Sequence, residues 1–205
     1  MVVDMALGFA GMGRVFKKES TDPILNSLRR FLTGLDSVRD QSDYDQSHTG
    51  LCNWFTENIR TAEKKGKHPV PEGPCSYGQA AKVVNISAKV FVYYCGLPSA
   101  DAAERLLPIL HAAFDIKMIG HLKKRFPDAN VTAADNKAVN RCEYELLRSL
   151  VAREIREDFG SAIHPVQYDD IIFRRVNRGQ LRPPGQTGRP PLTISSALLL
   201  PTLIK

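Results

Sequence analysis

The sequence predicts an all-α fold, a single helical domain of about seven helices. Apolar residues recur at helical spacing in one segment after another, and capping residues, glycines and prolines mark where these segments begin and end. No stretch shows the strict apolar–polar alternation of a half-buried strand. With 205 residues, 43% of them hydrophobic and 24% charged, the chain can bury one core, which excludes collagen-like, low-complexity and wholly disordered proteins.

The first two helices are predicted over about residues 20–40 and 47–65. Ser20 can cap the first helix and Pro23 suits its first turn. The second helix surrounds Leu51 and Trp54 and ends in lysines, whose charge is favourable at a helix C-terminus.

The third helix, over about residues 76–95, is the most apolar segment and ends before Gly96 and Pro98. A fourth helix is expected over about 100–113, with Pro108 inside it, and a fifth over 115–125. After a polar loop, a sixth helix covers about 138–158, and a short seventh covers about 167–178.

The composition changes near both ends of the chain. We expect an N-terminal segment over 1–19, the helical domain over 20–178, and a flexible tail over 179–205 that is rich in proline and arginine. Five of the 13 prolines lie in this tail, which either stays an extended arm or docks through its apolar residues 198–200.

Charge and cysteine content limit the class of partner. The net charge of +6 favours a polyanion as partner. No apolar run approaches the length that spans a bilayer, so no membrane association is expected. The four cysteines form no CxxC pair, which argues against a zinc site or a disulfide scaffold and for buried free thiols in a reducing cytoplasm.

Two lysines are the first candidates for chemistry. Lys82 and Lys89 lie seven residues apart on the third helix and therefore share a face, with Asn85 between them. In so apolar a helix, desolvation lowers the pKa of a lysine and leaves a neutral amine as a nucleophile. Alternatively, both lysines extend along an exposed stripe and keep their charges in water.

Two further pieces supply carboxylates. Asp115 stands at the start of the fifth helix, where it either caps the helix only or remains an ionised group that stabilises a developing cation. Asp169 and Phe173 lie one helical turn apart and share a helix face. A carboxylate beside an aromatic ring can bind a flat polar heterocycle by a hydrogen bond and by stacking. Alternatively, Phe173 packs in the core.

In this combination the chain resembles the helix-hairpin-helix DNA glycosylases, and most closely the archaeal 8-oxoguanine glycosylase branch. That branch carries two lysines seven apart on one helix, and KVVNISAK supplies Lys82 and Lys89. Its catalytic aspartate follows about thirty residues later, and FDIKMI supplies Asp115 at 33 residues after Lys82. An aspartate and a tryptophan four apart line its base pocket, and YDDIIF supplies Asp169 and Phe173.

The resemblance covers residues 76–178 and departs from the family at three points. The glycine-rich hairpin LPGxG is absent, prolines are missing before Asp115, and Phe173 stands in place of tryptophan. The identity of the damaged or modified base therefore stays open.

The resemblance implies a DNA glycosylase with AP-lyase activity that flips its target base out of the duplex. Lys82 would be the Schiff-base nucleophile, Lys89 a supporting lysine and Asp115 the essential carboxylate. The base would be bound by Asp169, Phe173 and, as a further candidate, Trp54. Such an enzyme needs neither a metal nor an organic cofactor, and we expect a nucleoid-associated monomer in the cytoplasm. The candidate phosphate contacts are Lys117, Lys123, Lys124 and Arg125.

Two alternatives remain. A non-catalytic helical module that binds nucleic acid or a protein partner explains the basic charge without any chemistry; it predicts that Lys82 and Asp115 lie on separate surfaces, whereas a glycosylase requires one shared pocket. A helical ribonuclease with an Arg-x4–6-His motif fits less well, because seven residues separate Arg156 from His164.

Overall fold

The computed structural model describes residues 14–64 and 71–177, and these residues form a mostly helical body. The described part contains seven α-helices, as the sequence predicts. The expectations for the tail after residue 177 and for residues 1–13 lie outside the described residues. The helices are α1 (Thr21–Gly34), α2 (Gln41–Asn58), α3 (Tyr77–Ala88), α4 (Ala100–Leu106), α5 (Ile116–Arg125), α6 (Arg141–Asp158) and α7 (Pro165–Asn177).

Helix α3 lies at the centre of the core, and its start is fixed by side chains. Ser76 and Gln79 form a reciprocal capping box, each accepting a hydrogen bond from the backbone N–H of the other. The backbone of α3 also approaches the 136–139 segment closely, because the N–H of Gly78 donates to the Val139 carbonyl at 3.0 Å. A Cβ at position 78 would lie 2.3 Å from the Asn136 carbonyl oxygen, so only glycine fits there.

The third predicted helix changes its winding before it ends. A π-helical turn, Lys89–Tyr94, follows α3 directly, and Gly96 then adopts a positive φ of 65°. Such turns are rare and occur frequently at functional sites. Because a π turn takes up more residues than an α turn, the side chain that follows Lys89 on the same face is Tyr94 rather than Tyr93.

Four predicted helix boundaries are wrong. Helix α1 ends at Gly34 and a 3₁₀ turn follows it, so the helix does not reach residue 40. Helix α2 ends at Asn58 and not in the lysines near residue 65, because Ile59 is extended and Arg60–Thr61 form a strand. Helix α2 begins at Gln41 rather than near residue 47, because the Asp40 side chain caps it by accepting from the Asp43 N–H. The fourth helix ends at Leu106 rather than at residue 113, since Pro108 cannot continue an α-helix. After one 3₁₀ turn, residues 110–115 run without helical structure into α5, and we call them the connector.

The prediction that no strand is present is also wrong in a small way. Arg60–Thr61 and Gly73–Pro74 pair as two short antiparallel strands, and Phe16 bridges to Thr61. Phe16 is buried against the core, so part of the segment assigned to the N-terminus packs with the helical body.

Two remaining expectations concern cysteines and membranes. Cys52 and Cys75 are buried free thiols as expected, but Cys95 and Cys142 are exposed because they lie at the end of the π turn and in the first turn of α6. Among the described residues, no helix has both the length and the apolar character needed to cross a bilayer.

Candidate functional site

A pocket of about 330 Å³ lies beside α3, at the part of the helix surface that is not fully buried. Of the twelve residues of α3, only Lys82 and Ile86 are half-buried, and the other ten are buried. These two lie one turn apart and both line the pocket. The polar residues of the pocket wall come from four parts of the chain and are Lys82, Lys89, Tyr94, Asp115, Lys117, Asp169 and Asp170.

Lys89 lies at the inner end of this pocket and is paired with two carboxylates. Its Nζ lies 2.6 Å from Asp169 Oδ1 and 2.7 Å from Asp170 Oδ1. Burial lowers the pKa of Lys89, but the two carboxylates outweigh that effect and raise the pKa above its ordinary value. The expectation of a neutral, desolvated amine is therefore wrong for Lys89, which stays protonated at neutral pH, and so is the expectation that it extends along an exposed stripe.

Asp169 is the more buried of the two carboxylates that bind Lys89, with 13% of its side chain exposed against 32% for Asp170. Burial raises the pKa of Asp169 to about 6, although Lys89 and the backbone N–H of Ala113 both favour its charged form. The Asp170 carboxylate also accepts a hydrogen bond from the Tyr94 hydroxyl at 2.9 Å. Sequence reasoning missed Asp170 and Tyr94; the Asp169–Asp170 pair was visible in the sequence, but the π turn that brings Tyr94 to it was not.

Asp115 lines the same pocket. Its Oδ1 accepts hydrogen bonds from the backbone N–H groups of Lys117 at 2.9 Å and Met118 at 2.8 Å, so it caps α5. The expected N-cap role of Asp115 is thus confirmed, and the same residue also lines the pocket.

Apolar side chains surround the mouth of the pocket. Among the described residues, the exposed large hydrophobic side chains are Tyr94, Ile116 and Phe173. Tyr94 and Phe173 line the pocket itself, and Ile116 is the residue after Asp115. The Lys117 Nζ lies 5.0 Å from the centre of the Phe173 ring. Phe173, with half of its surface exposed, is thus not the core residue that its periodicity also allowed.

The four basic residues predicted to contact phosphate differ in how free their charges are to bind DNA. Lys117 lines the pocket, and Lys124 is exposed on α5. Lys123 Nζ instead donates to the Ala133 carbonyl at 3.2 Å. Arg125 pairs with Glu157 at 2.9 Å and with Asp158 at 3.3 Å, so its charge is already partly neutralised within the protein.

Trp54 does not join the pocket. It packs edge-to-face against Phe55, with ring centres 5.5 Å apart, and it lines a separate groove between α1 and α2 together with Phe31 and Leu51. The assignment of Trp54 to the base pocket is therefore wrong for this structure, because the face of α2 that carries Trp54 lies against α1.

The residues that the sequence analysis proposed for catalysis and base binding, Trp54 excepted, thus meet at one pocket. Among residues 14–64 and 71–177, no three His, Cys, Asp or Glu side chains are grouped so that they could hold a metal ion. No family model, no curated protein and no solved structure matches this chain.

Proposed function

We propose that this protein is a DNA glycosylase with AP-lyase activity, of the helix-hairpin-helix kind that its sequence motifs resemble. The single observation that carries the proposal is that Lys82 and Asp115, 33 residues apart in the chain, line one pocket. A non-catalytic module gives no reason for an amine and a carboxylate to share a cleft, so this proximity favours the enzyme over the binding module.

The exposed apolar rim supports a nucleobase as ligand. Exposed aromatic rings next to a polar pocket are suited to stacking on a flat heterocycle, and stacking of a base on an aromatic side chain contributes about 1–3 kcal/mol. Phe173 offers such a face, with Asp169 one turn away to accept or donate hydrogen bonds at the base edge. Lys117 beside the ring adds a cation close to where a phosphate would pass.

The proposed reaction begins with attack of the Lys82 amine on C1′ of an extruded nucleotide. The N–C1′ bond forms as the C1′–base bond breaks, the base leaves with the bonding electrons and takes up a proton, and the lysine nitrogen gives up a proton. Asp115 would stabilise the positive charge that develops on the sugar and assist this proton transfer.

The lyase half of the reaction follows from the same nitrogen. The nitrogen lone pair expels O4′, which is protonated, and the sugar becomes an open-chain Schiff base. Loss of a C2′ proton then breaks the C3′–O bond, which cuts the strand on the 3′ side of the lesion. Lys89 would act only through its positive charge, since Asp169 and Asp170 keep it protonated.

The test is borohydride trapping against a panel of oligonucleotides that carry damaged and modified bases. We expect a covalent protein–DNA adduct with at least one substrate, which Lys82→Gln abolishes. Lys117→Gln is the matched control, because it removes another amine from the same pocket and should still be trapped. Adduct formation by Lys82→Gln at the wild-type level would contradict the proposal, and DNA binding without an adduct on any substrate would favour the non-catalytic module.

Base selection provides a second test of the pocket assignment. Phe173→Ala should change which base is excised more than it changes affinity for DNA, since we assign the exposed ring to stacking on the base and not to the backbone. Asp115→Asn should fold and still bind DNA but lose excision. Equal loss of affinity for every oligonucleotide would instead give Phe173 a role at the DNA backbone.

A further inference from the structure

Four buried polar side chains form a second cluster on the side of the connector away from the pocket. We call His48, Asn85, His111 and Tyr144 the core network; each is no more than 5% exposed. The Tyr144 hydroxyl lies 2.9 Å from both Asn85 Nδ2 and His111 Nδ1, and His111 Nε2 lies 2.7 Å from Asp45 Oδ1. The hydrogen bonds therefore extend from the buried His48 side chain to Asp45 at the protein surface.

The amide of Asn85 occupies the node of this network, and its orientation is determined by its partners. Asn85 Nδ2 donates to the Ala112 carbonyl at 2.7 Å, and a carbonyl can only accept. Asn85 Oδ1 therefore faces His48 Nε2, at 2.8 Å, which must donate. Burial lowers the pKa of His48 well below its ordinary value, so this imidazole is neutral and can make this bond with one N–H.

One peptide group links this network to the pocket. The carbonyl of the Ala112–Ala113 peptide accepts from Asn85 at 2.7 Å. Ala113, on the other side of this peptide, lines the pocket together with Asp115 and Asp169. The core amide thus holds the oxygen of a peptide group that borders the pocket.

The connector borders two cavities. Ala113 and Asp115 line the pocket, while His111, Ala112 and Phe114 line a different cavity. A rotation of the Ala112–Ala113 peptide would therefore move Asp115 in the pocket.

We propose that Asn85 is a positioning residue, which holds the Ala112–Ala113 peptide so that Asp115 keeps its place in the pocket that it shares with Lys82. The effect on excision rests on the proposed glycosylase function, but the effect on the connector does not. Asn85 lies one turn from each lysine, so the helix that carries the amine also sets the position of the Asp115 carboxylate.

The test compares Asn85→Leu, which removes the amide at similar volume, with Tyr144→Phe, which removes a neighbouring hydroxyl but leaves the bond from Asn85 to Ala112. In single-turnover excision with DNA at saturation, Asn85→Leu should be slower by about tenfold or more, since small misplacements of reacting groups are costly. Tyr144→Phe should stay within about threefold of wild type, and both variants should keep their Kd for DNA within about twofold. Asn85→Ser serves in place of Asn85→Leu if the latter does not fold.

Amide hydrogen exchange at Ala113 and at Lys117 provides a readout that needs no catalysis. Exchange at both positions should accelerate in the Asn85 variants and remain close to wild type in Tyr144→Phe. If both substitutions slow excision equally, or if Ala113 exchange is unchanged in the Asn85 variants, the positioning role is contradicted. If wild-type protein excises no base, the proposed function fails, and the exchange result alone decides whether Asn85 orders the connector.

Discussion

Two polar clusters lie on opposite sides of the connector, and they differ in how well their groups are paired. The core network is buried, consists of neutral amide, phenol and imidazole groups, and links every member to another by hydrogen bonds. The pocket is open to solvent, contains three lysines and three aspartates, and is bordered by exposed apolar side chains.

This difference indicates that the core network stabilises the fold, whereas the pocket is suited to binding a ligand. A buried network with satisfied hydrogen bonds fixes one arrangement of the backbone. Charges and aromatic rings that face a cleft can still form hydrogen bonds and stacking contacts with a ligand. The connector lies between the two clusters, because Ala112 accepts from Asn85 in the core network and Ala113 and Asp115 line the pocket.

The largest expected effect comes from separating the charges in the pocket. Lys89→Met leaves the Asp169 and Asp170 carboxylates without their cation, and we expect it to lower the free energy of unfolding by about 3 kcal/mol, as for other buried pairs. The double variant Lys89→Met/Asp169→Asn should recover more than half of this loss, because it also removes the buried charge. Urea denaturation of the three proteins measures both values. A single variant as stable as wild type would show that this ion pair is solvated and not part of a buried cluster.

The residues of the pocket show how much of the site could be predicted from the sequence. Helical periodicity and spacing placed Lys82, Lys89 and Asp169 on helix faces that do meet at the pocket. The partner Asp170 was not predicted, because periodicity identifies a face and not which of two adjacent carboxylates a distant amine will bind. The position of Tyr94 depends on the π turn, which leaves no simple periodic signal.

The largest error of the sequence-based prediction was the course of the connector, which was expected to be helical up to residue 113. A helix through residue 113 would have placed His111 and Asp115 by helical spacing, whereas in the non-helical connector His111 lines one cavity and Asp115 lines another. Pro108 gave the signal for the helix end, but nothing local indicates that Asn85, 27 residues earlier, binds the segment that follows. Long-range hydrogen bonds of this kind depend on tertiary packing.

The two clusters should also respond oppositely to acid between pH 7 and 5. Burial lowers the pKa of His48 and of His111, so the unfolded chain takes up protons first and acidification below about 6.5 destabilises the fold. Burial raises the pKa of Asp169 to about 6, so the folded state takes up this proton first and acidification stabilises it. Each contribution is on the order of 1 kcal/mol over this interval.

Variants can separate these opposing contributions. His48→Gln should lose less stability than wild type on going from pH 7 to 5, and Asp169→Asn should lose more. Urea midpoints at the two pH values measure the slopes. Parallel slopes for wild type and both variants would mean that neither cluster titrates in this interval.

The smallest effects are expected at the basic residues of α5. Lys117→Ala should reduce the slope of log affinity against log salt for DNA by about 0.9, the value for one lost phosphate contact. Arg125→Ala should change the slope less, because Glu157 and Asp158 already bind its guanidinium group. Fluorescence anisotropy titrations at several salt concentrations measure the slopes. A larger change for Arg125 than for Lys117 would move the DNA path away from the pocket.

The most direct measurement is to locate the lysine that carries DNA after borohydride trapping and digestion with nuclease and trypsin. Attachment at Lys82 blocks cleavage there and predicts a modified peptide that spans residues 68–89. Attachment at Lys89 would instead give a modified peptide over residues 83–105 and would contradict the assignment of Lys82 as the nucleophile.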